Sequence, residues 1–355
     1  MSIRMNRRNL LVGTTSALIV APAVWTSARA SQKITIADAG GAVTERNKQF
    51  YYDPFQKATG IEVVPVTRRG SPASDIKLQV ETKNNLWDFC GSISGDVVVA
   101  LMDDGYLEEH GVTGANYSAI PADLKNKFYV PEIIPAFVNC YRTDTIKKPL
   151  SSMADIWDPS IKGVRSLRRT ARDTIEVALR ADGVKGGDDI YKILNSPAGW
   201  DRAFAKLDQI KPRIRTWWSA AAESARLLQT GEVDILPTYS NRAQELIDAK
   251  LPVRIAWEEG FYLVNGWVIP KGSAKVELVR KFIEFALEPK RQAEACAASG
   301  SGPANPETVG LIEESRRVNL TTYEPNFKKM AKISDEFWAV NQDKAQQRFN
   351  SWLLA

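Results

Sequence analysis

The side chains most able to carry out catalysis are scarce in this chain. It holds one histidine, His110, and three cysteines, Cys90, Cys140 and Cys296. A zinc site of the common kind needs closely spaced Cys and His ligands, but no CxxC pair exists and the histidine is far from each cysteine. His110 lies in the polar stretch LEEHGVTG, which predicts a surface loop. We therefore expect no catalytic residue, no metal and no cofactor.

A cluster of arginines fits anion binding instead. Arg168, Arg169 and Arg172 crowd one short loop, and Arg242 begins a predicted helix. The planar guanidinium group suits carboxylates and phosphates, because two of its N–H groups can bind two oxygens side by side. A solvated charged surface is the alternative interpretation of all four.

Two aromatic stretches are candidates for the wall of a pocket. Trp217 and Trp218 are adjacent, and Tyr239 follows an apolar run, VDILPT. A ring in either place would stack on a bound molecule, whereas core packing is the plainer alternative. Asp96 also has two interpretations, as a ligand contact or as a residue that caps the helix after it.

The elements that must position these side chains alternate along the chain, which is typical of the α/β class. The predicted sheet is largely parallel. Strands are predicted at 33–37, 61–66, 86–90, 164–167, 214–217, 233–238 and 253–257. Helices are predicted at 44–58, 74–81, 96–104, 173–181, 199–210, 223–228, 242–250 and 275–287.

Two such α/β blocks in one chain predict a cleft between them. In open parallel sheets, ligands bind outside the carboxyl ends of the strands, so the loops that follow strands should line that cleft. These loops are Asp38–Ala42, Arg68–Ser71, Gly91–Asp96, Arg168–Asp173, Trp217–Ala220 and Tyr239–Arg242.

Residues 1–30 predict an export signal. A basic start with Arg7 and Arg8 precedes an apolar run at 10–25, and 28–30 is an A-x-A cleavage site. The paired arginines are typical of a twin-arginine signal, although a general secretory signal is the alternative. We expect cleavage after Ala30, a periplasmic mature protein that begins near Ser31, and no later membrane span.

Export would place the cysteines in an oxidising compartment, where disulfides persist. Cys90 and Cys140 each end an apolar strand, WDFC and AFVNC. If those strands are neighbours, Cys90 and Cys140 are the pair expected to be bridged. Three free thiols are the alternative.

Size and charge bound the remaining classes. The chain has 355 residues, and 44% of them are hydrophobic and 25% charged, as in ordinary globular proteins. That length favours two domains. The formal net charge of +5 is concentrated in the leader, so the charge indicates no nucleic-acid partner.

Five stretches, in register over nearly all of the mature chain, carry a resemblance to a known family. They are PFQKATGIEV (54–63), WDFCGSISGDVVVALMDDGYLEE (87–109), SSMADIWDPSIKG (151–163), LLQTGEVDILPTYSNRA (227–243) and NGWVIPKGSAKVELVRKFIEFALEP (265–289). The sequence resembles the extracellular solute-binding proteins of ABC transporters, of the spermidine/putrescine-binding type.

The resemblance implies a two-lobed Venus-flytrap fold (periplasmic binding protein, type II) with a hinge that the chain crosses more than once. On this basis lobe 1 comprises 31–139 and 266–308, and lobe 2 comprises 140–265 and 309–355. A monomer that captures a small molecule, closes on it and delivers it to a membrane permease and ATPase is implied. An exported enzyme and a ligand-sensing receptor subunit are the alternatives.

Family positions, carried over onto this sequence, add to the residues singled out above. Glycines after the first strand, polar residues after the third strand and the Trp-Ser pair match positions where relatives contact ligand. The expected ligand-binding residues are Gly40, Gly41, Ser94, Asp96, Arg168, Asp173, Trp218, Ser219, Tyr239, Arg242, Tyr262 and Asn265.

The ligand's charge stays open at this point. Polyamine binders hold ammonium groups with carboxylates, yet one such acid corresponds to Asn265 here and another to Thr170. A polyamine or related amine is one alternative, and a small anionic or zwitterionic solute is the other.

Overall fold

The computed structural model describes residues 32–69 and 71–355. The expected export signal and its cleavage after Ala30 lie outside the described residues. Within the part that is described, no helix combines the length and the apolar character needed to cross a membrane.

Strands and helices alternate along most of the described chain. The strands are β1 (Lys33–Asp38), β2 (Glu62–Thr67), β3 (Phe89–Ser94), β4 (Leu107–Glu108), β5 (Val130–Ile133), β6 (Ala136–Arg142), β7 (Arg165–Arg168), β8 (Ile214–Trp218), β9 (Ile235–Tyr239), β10 (Val253–Tyr262), β11 (Asn265–Pro270) and β12 (Ala331–Lys332). The α-helices are α1 (Gly41–Asn47), α2 (Asp53–Thr59), α3 (Ala73–Thr82), α4 (Gly95–Asp103), α5 (Ala115–Ser118), α6 (Ala171–Ala181), α7 (Asp188–Leu194), α8 (Pro197–Ile210), α9 (Ala221–Thr230), α10 (Ser240–Asp248), α11 (Val276–Ala286), α12 (Pro289–Ser299), α13 (Pro306–Val309), α14 (Glu314–Arg317), α15 (Glu324–Phe327) and α16 (Asp335–Leu354).

The strands form two separate sheets. One has the order β2-β1-β3-β11-β4, with β5 also paired to β11, and the other has the order β12-β10-β6-β9-β7-β8. The expectation of largely parallel sheets is wrong. The strands β5 and β11 of the first sheet and β6 and β10 of the second form antiparallel pairs. These are the strands next to the crossings between the sheets, where the chain enters and leaves and must therefore reverse direction.

Each sheet has its own hydrophobic core. Residues between 34 and 134, and again between 264 and 304, pack around the first sheet. Residues between 136 and 263, and again between 333 and 349, pack around the second. The α/β class with two lobes expected from the sequence agrees with this architecture, and the name lobe 1 is kept for the first body and lobe 2 for the second.

The crossings lie earlier than the sequence placed them. All of β6 pairs within the second sheet, so the first crossing is at 134–135 and not at 139–140. Asn265, expected in lobe 2, pairs with Ser94 and Ile133 in the first sheet, so the return is at 263–264. We propose the two-lobe division with these boundaries.

The expected bridge between Cys90 and Cys140 is absent, and all three cysteines are free and buried. Cys90 lies in β3 of the first sheet, whereas Cys140 lies in β6 of the second. The two strands have similar sequences but are not neighbours, so the premise of the pairing fails. Burial raises the pKa of Cys90 and of Cys140, which keeps both thiols protonated.

Two helices that precede strands leading to the site end at local sequence signals. Gly60 ends α2 and Gly231 ends α9, each with a left-handed backbone (φ 76° and 72°) that glycine adopts without strain. The sharp stops turn the chain directly into the next strand, so that β2 and β9 run toward the loops described below.

Candidate functional site

A cavity of about 490 Å³ lies between the two lobes. Lobe 1 lines it with Arg68, Ser71, Pro72, Ser92, Ile93, Ser94, Asp96, Val97, Ile133 and Asn265. Lobe 2 lines it with Arg168, Thr170, Arg172, Ala221, Tyr239, Asn241, Arg242 and Gln342. Pro135 and Leu263, from the two crossings, complete the wall.

Four helices begin at this cavity with a regular first turn, namely α3, α4, α9 and α10, whereas the non-helical backbone of Arg172 and Asp173 interrupts the start of α6. The side chains of the N-cap residues of these four helices accept no hydrogen bond from the backbone N–H groups of the first helical turn. Backbone N–H groups at a helix start carry a partial positive charge and bind anions well. The arrangement therefore makes the cavity favourable for a negatively charged group.

Arg168 is held at the wall by an acid and two rings. Its Nη1 donates to the Asp173 carboxylate and, at 2.7 Å, to the hydroxyl of Tyr239. Its guanidinium lies 5.4 Å from the Trp218 ring centre and 5.3 Å from that of Tyr239. Burial lowers the pKa of Arg168, but Tyr239 and Asp173 outweigh it, so the net shift is upward and the charge is kept.

Arg172 joins the two lobes. Its Nη1 donates to Oδ1 of Asp96 in α4 at 2.5 Å, and the two side chains are 12% and 10% exposed. Ser94 donates to the same oxygen at 2.6 Å. Burial lowers the pKa of Arg172, yet Asp96 and Asp173 raise it above its ordinary value, so the pair is ionic. Asp96 thus faces the cavity and does not cap α4 through its side chain.

The remaining two arginines differ in their partners. Arg242 donates to Glu245 at 2.7 Å within α10. Arg68 donates only to backbone oxygens, those of Gly91 at 3.3 Å and Ser92 at 2.9 Å, and its buried Nε has no partner among the described residues. The cavity therefore holds three arginines that are paired with acids and one that is not.

A buried polar network in lobe 1 supports the loop that holds Arg68. Ser92 donates to Glu132 from its backbone N–H at 2.8 Å and from its hydroxyl at 3.0 Å. Asn47 connects Glu132 to Tyr52, which in turn donates to Asp38. Burial raises the pKa of Glu132. The network fixes Ser92 in a left-handed backbone conformation (φ 50°), which is unfavourable for a non-glycine residue.

The structure brings half of the expected site residues to the cavity. Those that line it are Ser94, Asp96, Arg168, Tyr239, Arg242 and Asn265. Those that do not line it are Gly40, Gly41, Asp173, Trp218, Ser219 and Tyr262.

Each residue outside the cavity has a physical reason for its position. Asp173 and Trp218 are fully buried behind Arg168 and act on the cavity through it. Tyr262 packs against Phe327 with ring centres 4.5 Å apart, because the residue after it, Leu263, takes the cavity-facing place. Ser219 precedes α9 and donates its backbone N–H to Glu223 in the first turn of that helix.

The two glycines after β1 form a turn that does not reach the cavity. Gly40 (φ 84°) and Gly41 (φ 56°) reverse the chain into α1. A Cβ atom on Gly40 would lie 2.5 Å from a methyl carbon of Thr67, so close packing against β2 explains this glycine.

Several lining residues were missing from the expected set. Arg68, Ser71, Arg172 and Thr170 lie in loops that the sequence had marked as cleft-facing, but no local signal separated them from solvated neighbours. Asn241 also lies in a marked loop, 239–242, whereas Gln342 was not marked at all. Each has a buried side-chain oxygen without a partner in the described structure. Gln342 comes from α16, far along the chain, and only tertiary packing brings it here.

His110 is buried and not on a surface loop as expected. Its Nδ1 accepts from the backbone of Val112 at 2.8 Å, and its Nε2 lies 2.9 Å from the carbonyl oxygen of Asn126. Burial lowers its pKa, which favours the neutral ring. The residue supports a turn in lobe 1 and lies outside the cavity. No cluster of metal-ligating side chains was found in the described residues.

Comparison with known proteins adds three findings. The family model for "Bacterial extracellular solute-binding protein" matches residues 51–314. A gamma-aminobutyric acid-binding protein of Pseudomonas aeruginosa is 31% identical over 325 residues, 91% of each protein. A spermidine/putrescine-binding periplasmic protein of Escherichia coli is 24% identical over 247 residues, 67% of this chain and 68% of that protein.

A solved structure extends the similarity to the fold. The ABC transporter substrate-binding protein from Bradyrhizobium japonicum superposes with a TM-score of 0.81 and 28% identity. The match covers 90% of this chain and 99% of the other.

Proposed function

Because this chain belongs to the family of bacterial extracellular solute-binding proteins and is the solute-binding component of an ABC transporter, we propose that it captures a small carboxylate-bearing solute between its lobes. The class of protein agrees with the resemblance read from the sequence. The proposal of a carboxylate on the solute goes beyond the family assignment, and it rests on the balance of charge around the cavity.

That balance is the observation which carries the proposal. Four arginines and four helix starts face the cavity, but Asp96 is the one acid among the residues that line it. A buried polyamine would need several carboxylates to compensate its ammonium groups. Asp96 is already bonded to Arg172, so the cavity favours a negatively charged group of the ligand over a positively charged one.

A zwitterion of the gamma-aminobutyric acid kind fits this wall. Its carboxylate would meet guanidinium and backbone N–H groups, and its ammonium could use the second oxygen of Asp96 and the ring face of Tyr239. The relative from Pseudomonas aeruginosa is named for gamma-aminobutyric acid, which supports testing that compound first.

Binding without turnover is part of the proposal. No histidine or cysteine is among the residues that line the cavity, so an activated nucleophile of the Ser-His or Cys-His kind is not supported there. We propose delivery of the solute to a permease and ATPase by a monomeric protein. A sensing role for the same fold is the alternative.

Export and a periplasmic location complete the proposal. The relative from Escherichia coli is named as periplasmic, and the family is described as extracellular. We propose that residues 1–30 are a twin-arginine signal cleaved after Ala30. Amino-terminal sequencing of the exported protein would give Ser31 first, and Arg7→Lys with Arg8→Lys would abolish export. Export unchanged by this double substitution would contradict the twin-arginine route.

The binding proposal is tested by thermal shift and calorimetry on the mature protein. The compounds are gamma-aminobutyric acid, β-alanine, glutamate, acetate, putrescine and spermidine. A ligand at 100 times its Kd stabilises the folded state by about 2.7 kcal/mol. We expect stabilisation by a carboxylate-bearing compound. Stabilisation by the polyamines alone would overturn the carboxylate proposal, and turnover of any compound would overturn the binding role.

A further inference from the structure

Arg68 differs from the other arginines of the cavity because no acid pairs with it in the part of the chain that the structure describes. Arg168, Arg172 and Arg242 each bond to a carboxylate, whereas both recorded bonds of Arg68 go to backbone carbonyls. Both of those bonds use the same nitrogen, Nη2. Nη1 and Nε form no hydrogen bond within the described structure, so these two donors are left to bind something else.

The surroundings of Arg68 fix it in place at that position. The carbonyl oxygens that it binds belong to Gly91 and Ser92, in the middle of β3. Ser92 has a left-handed backbone conformation, and it donates two hydrogen bonds to the fully buried Glu132. Strained residues that persist in this way are concentrated at ligand sites. Here the left-handed conformation of Ser92 directs the carbonyl oxygens of Gly91 and Ser92 toward Arg68.

Other donors lie along the same wall of lobe 1. Ser71 and Pro72 line the cavity just before α3, and Ser94 lines it just before α4. The N-cap residues Pro72 and Ser94 accept no side-chain hydrogen bond from these helices, and Ala73 at the start of α3 makes one long bond, 3.5 Å, to Oγ of Ser71. The helix starts add to a charged side chain that already faces the cavity. The Ser94 hydroxyl already donates to Asp96, which leaves Arg68 and the backbone N–H groups of the two helix starts as the donors for a ligand.

Building on the proposed function, we infer that Arg68 binds the carboxylate of the solute in a subsite formed with Ser71, Ser94 and the first turns of α3 and α4. One carboxylate balances the one unpaired arginine. The ion pairs of Arg168 and Arg172 then stay intact when the solute binds, and they shape the cavity without contacting the carboxylate.

The test compares two ligands on matched variants. Gamma-aminobutyric acid and 4-aminobutanamide have nearly the same shape, but the amide lacks the negative charge. Calorimetry on wild type should give a clear preference for the acid. Arg68→Gln should weaken binding of the acid by about 10- to 100-fold, the range for a charged hydrogen bond, and leave binding of the amide nearly unchanged.

Two further variants separate recognition from structure. Arg69→Gln removes the adjacent arginine, which is exposed and outside the cavity, and should change neither ligand's affinity. Arg68→Lys keeps the charge but not the planar fork and should fall between wild type and Arg68→Gln. Thermal unfolding of each variant checks that the fold is kept.

The outcomes separate the subsite from the function it rests on. If Arg68→Gln weakens both ligands equally, or neither, the subsite is overturned while solute binding stands. If wild type binds putrescine or spermidine but no carboxylate, the subsite and the carboxylate class are overturned together, and the solute-binding role stands. If wild type binds none of these compounds, the proposed substrate class fails first and the subsite with it.

Discussion

Asp96→Asn should weaken solute binding mainly by destabilising the contact between the lobes. Asp96 in lobe 1 and Arg172 in lobe 2 are nearly buried and lie 2.5 Å apart. The asparagine keeps an oxygen that can accept from Arg172 but removes the negative charge. A hydrogen bond between charged groups is worth about 1.5–3 kcal/mol, so we expect an affinity about 10- to 100-fold lower.

The substitution should destabilise the closed arrangement of the lobes without lowering the free energy of unfolding of each lobe. Once the lobes separate, water solvates Arg172, and the missing charge no longer matters. Calorimetry with gamma-aminobutyric acid measures the affinity, and small-angle scattering of the ligand-free protein reports a larger radius of gyration if the lobes separate more often. The midpoint of thermal unfolding should change little.

A matched control makes the reasoning refutable. Asp201→Asn removes an acid from an exposed pair with Arg348 inside lobe 2, and such surface pairs contribute at most about 1 kcal/mol. It should change neither affinity nor scattering. Arg172→Met breaks the same ion pair but leaves Asp96 in place. It therefore distinguishes a role of Asp96 in joining the lobes from a direct contact of Asp96 with the solute. Wild-type affinity in Arg172→Met, or unchanged scattering in Asp96→Asn, would refute the lobe-joining role.

Further predictions concern the two cores. Tyr239→Ala should weaken binding and leave the fold intact, whereas Trp218→Ala, at a fully buried ring, should lower the free energy of unfolding by about 3–5 kcal/mol; equal loss of folding would show that Tyr239 is core. Burial, followed by Asp173, raises the pKa of Glu176 to about 7, so the folded protein keeps a proton that the unfolded chain releases, and urea unfolding should show stability falling from about pH 4.5 to 7. Glu176→Gln should flatten that slope, and an unchanged slope would contradict the assignment. A thiol assay should count three free thiols in denaturant and almost none in the native protein; a count of one would restore a disulfide.

The alternation of strands and helices was predictable because it depends on short-range patterns. The strand predicted at 214–217 is observed at Ile214–Trp218, and the helix predicted at 44–58 ends in the structure at Thr59, followed by Gly60 with a left-handed backbone. The family resemblance was also readable, since five stretches in register do not depend on contacts. Both follow from neighbouring residues along the chain.

The direction in which individual side chains point was predicted less well. Trp217 and Trp218 are adjacent in one strand and so point to opposite faces, but the sequence does not say which face the cavity takes. Tyr262 and Leu263 are likewise adjacent, at the second crossing, and the sequence does not say which of the two faces the cavity. His110 was placed in solvent because its neighbours are polar, although segments distant in sequence bury it.

The chain by itself determined the α/β class, the order of its elements, the family and the loops from which a site would be built. Only the tertiary structure decided that Cys90 and Cys140 lie in different sheets, and that Arg172 meets Asp96 across the lobes. It also decided that Arg68, of the arginines that line the cavity, is the one without an acid partner among the described residues. The physical reason is that charge pairing depends on distance in space, and residues separated by some 75 positions carry no mutual signal in the sequence.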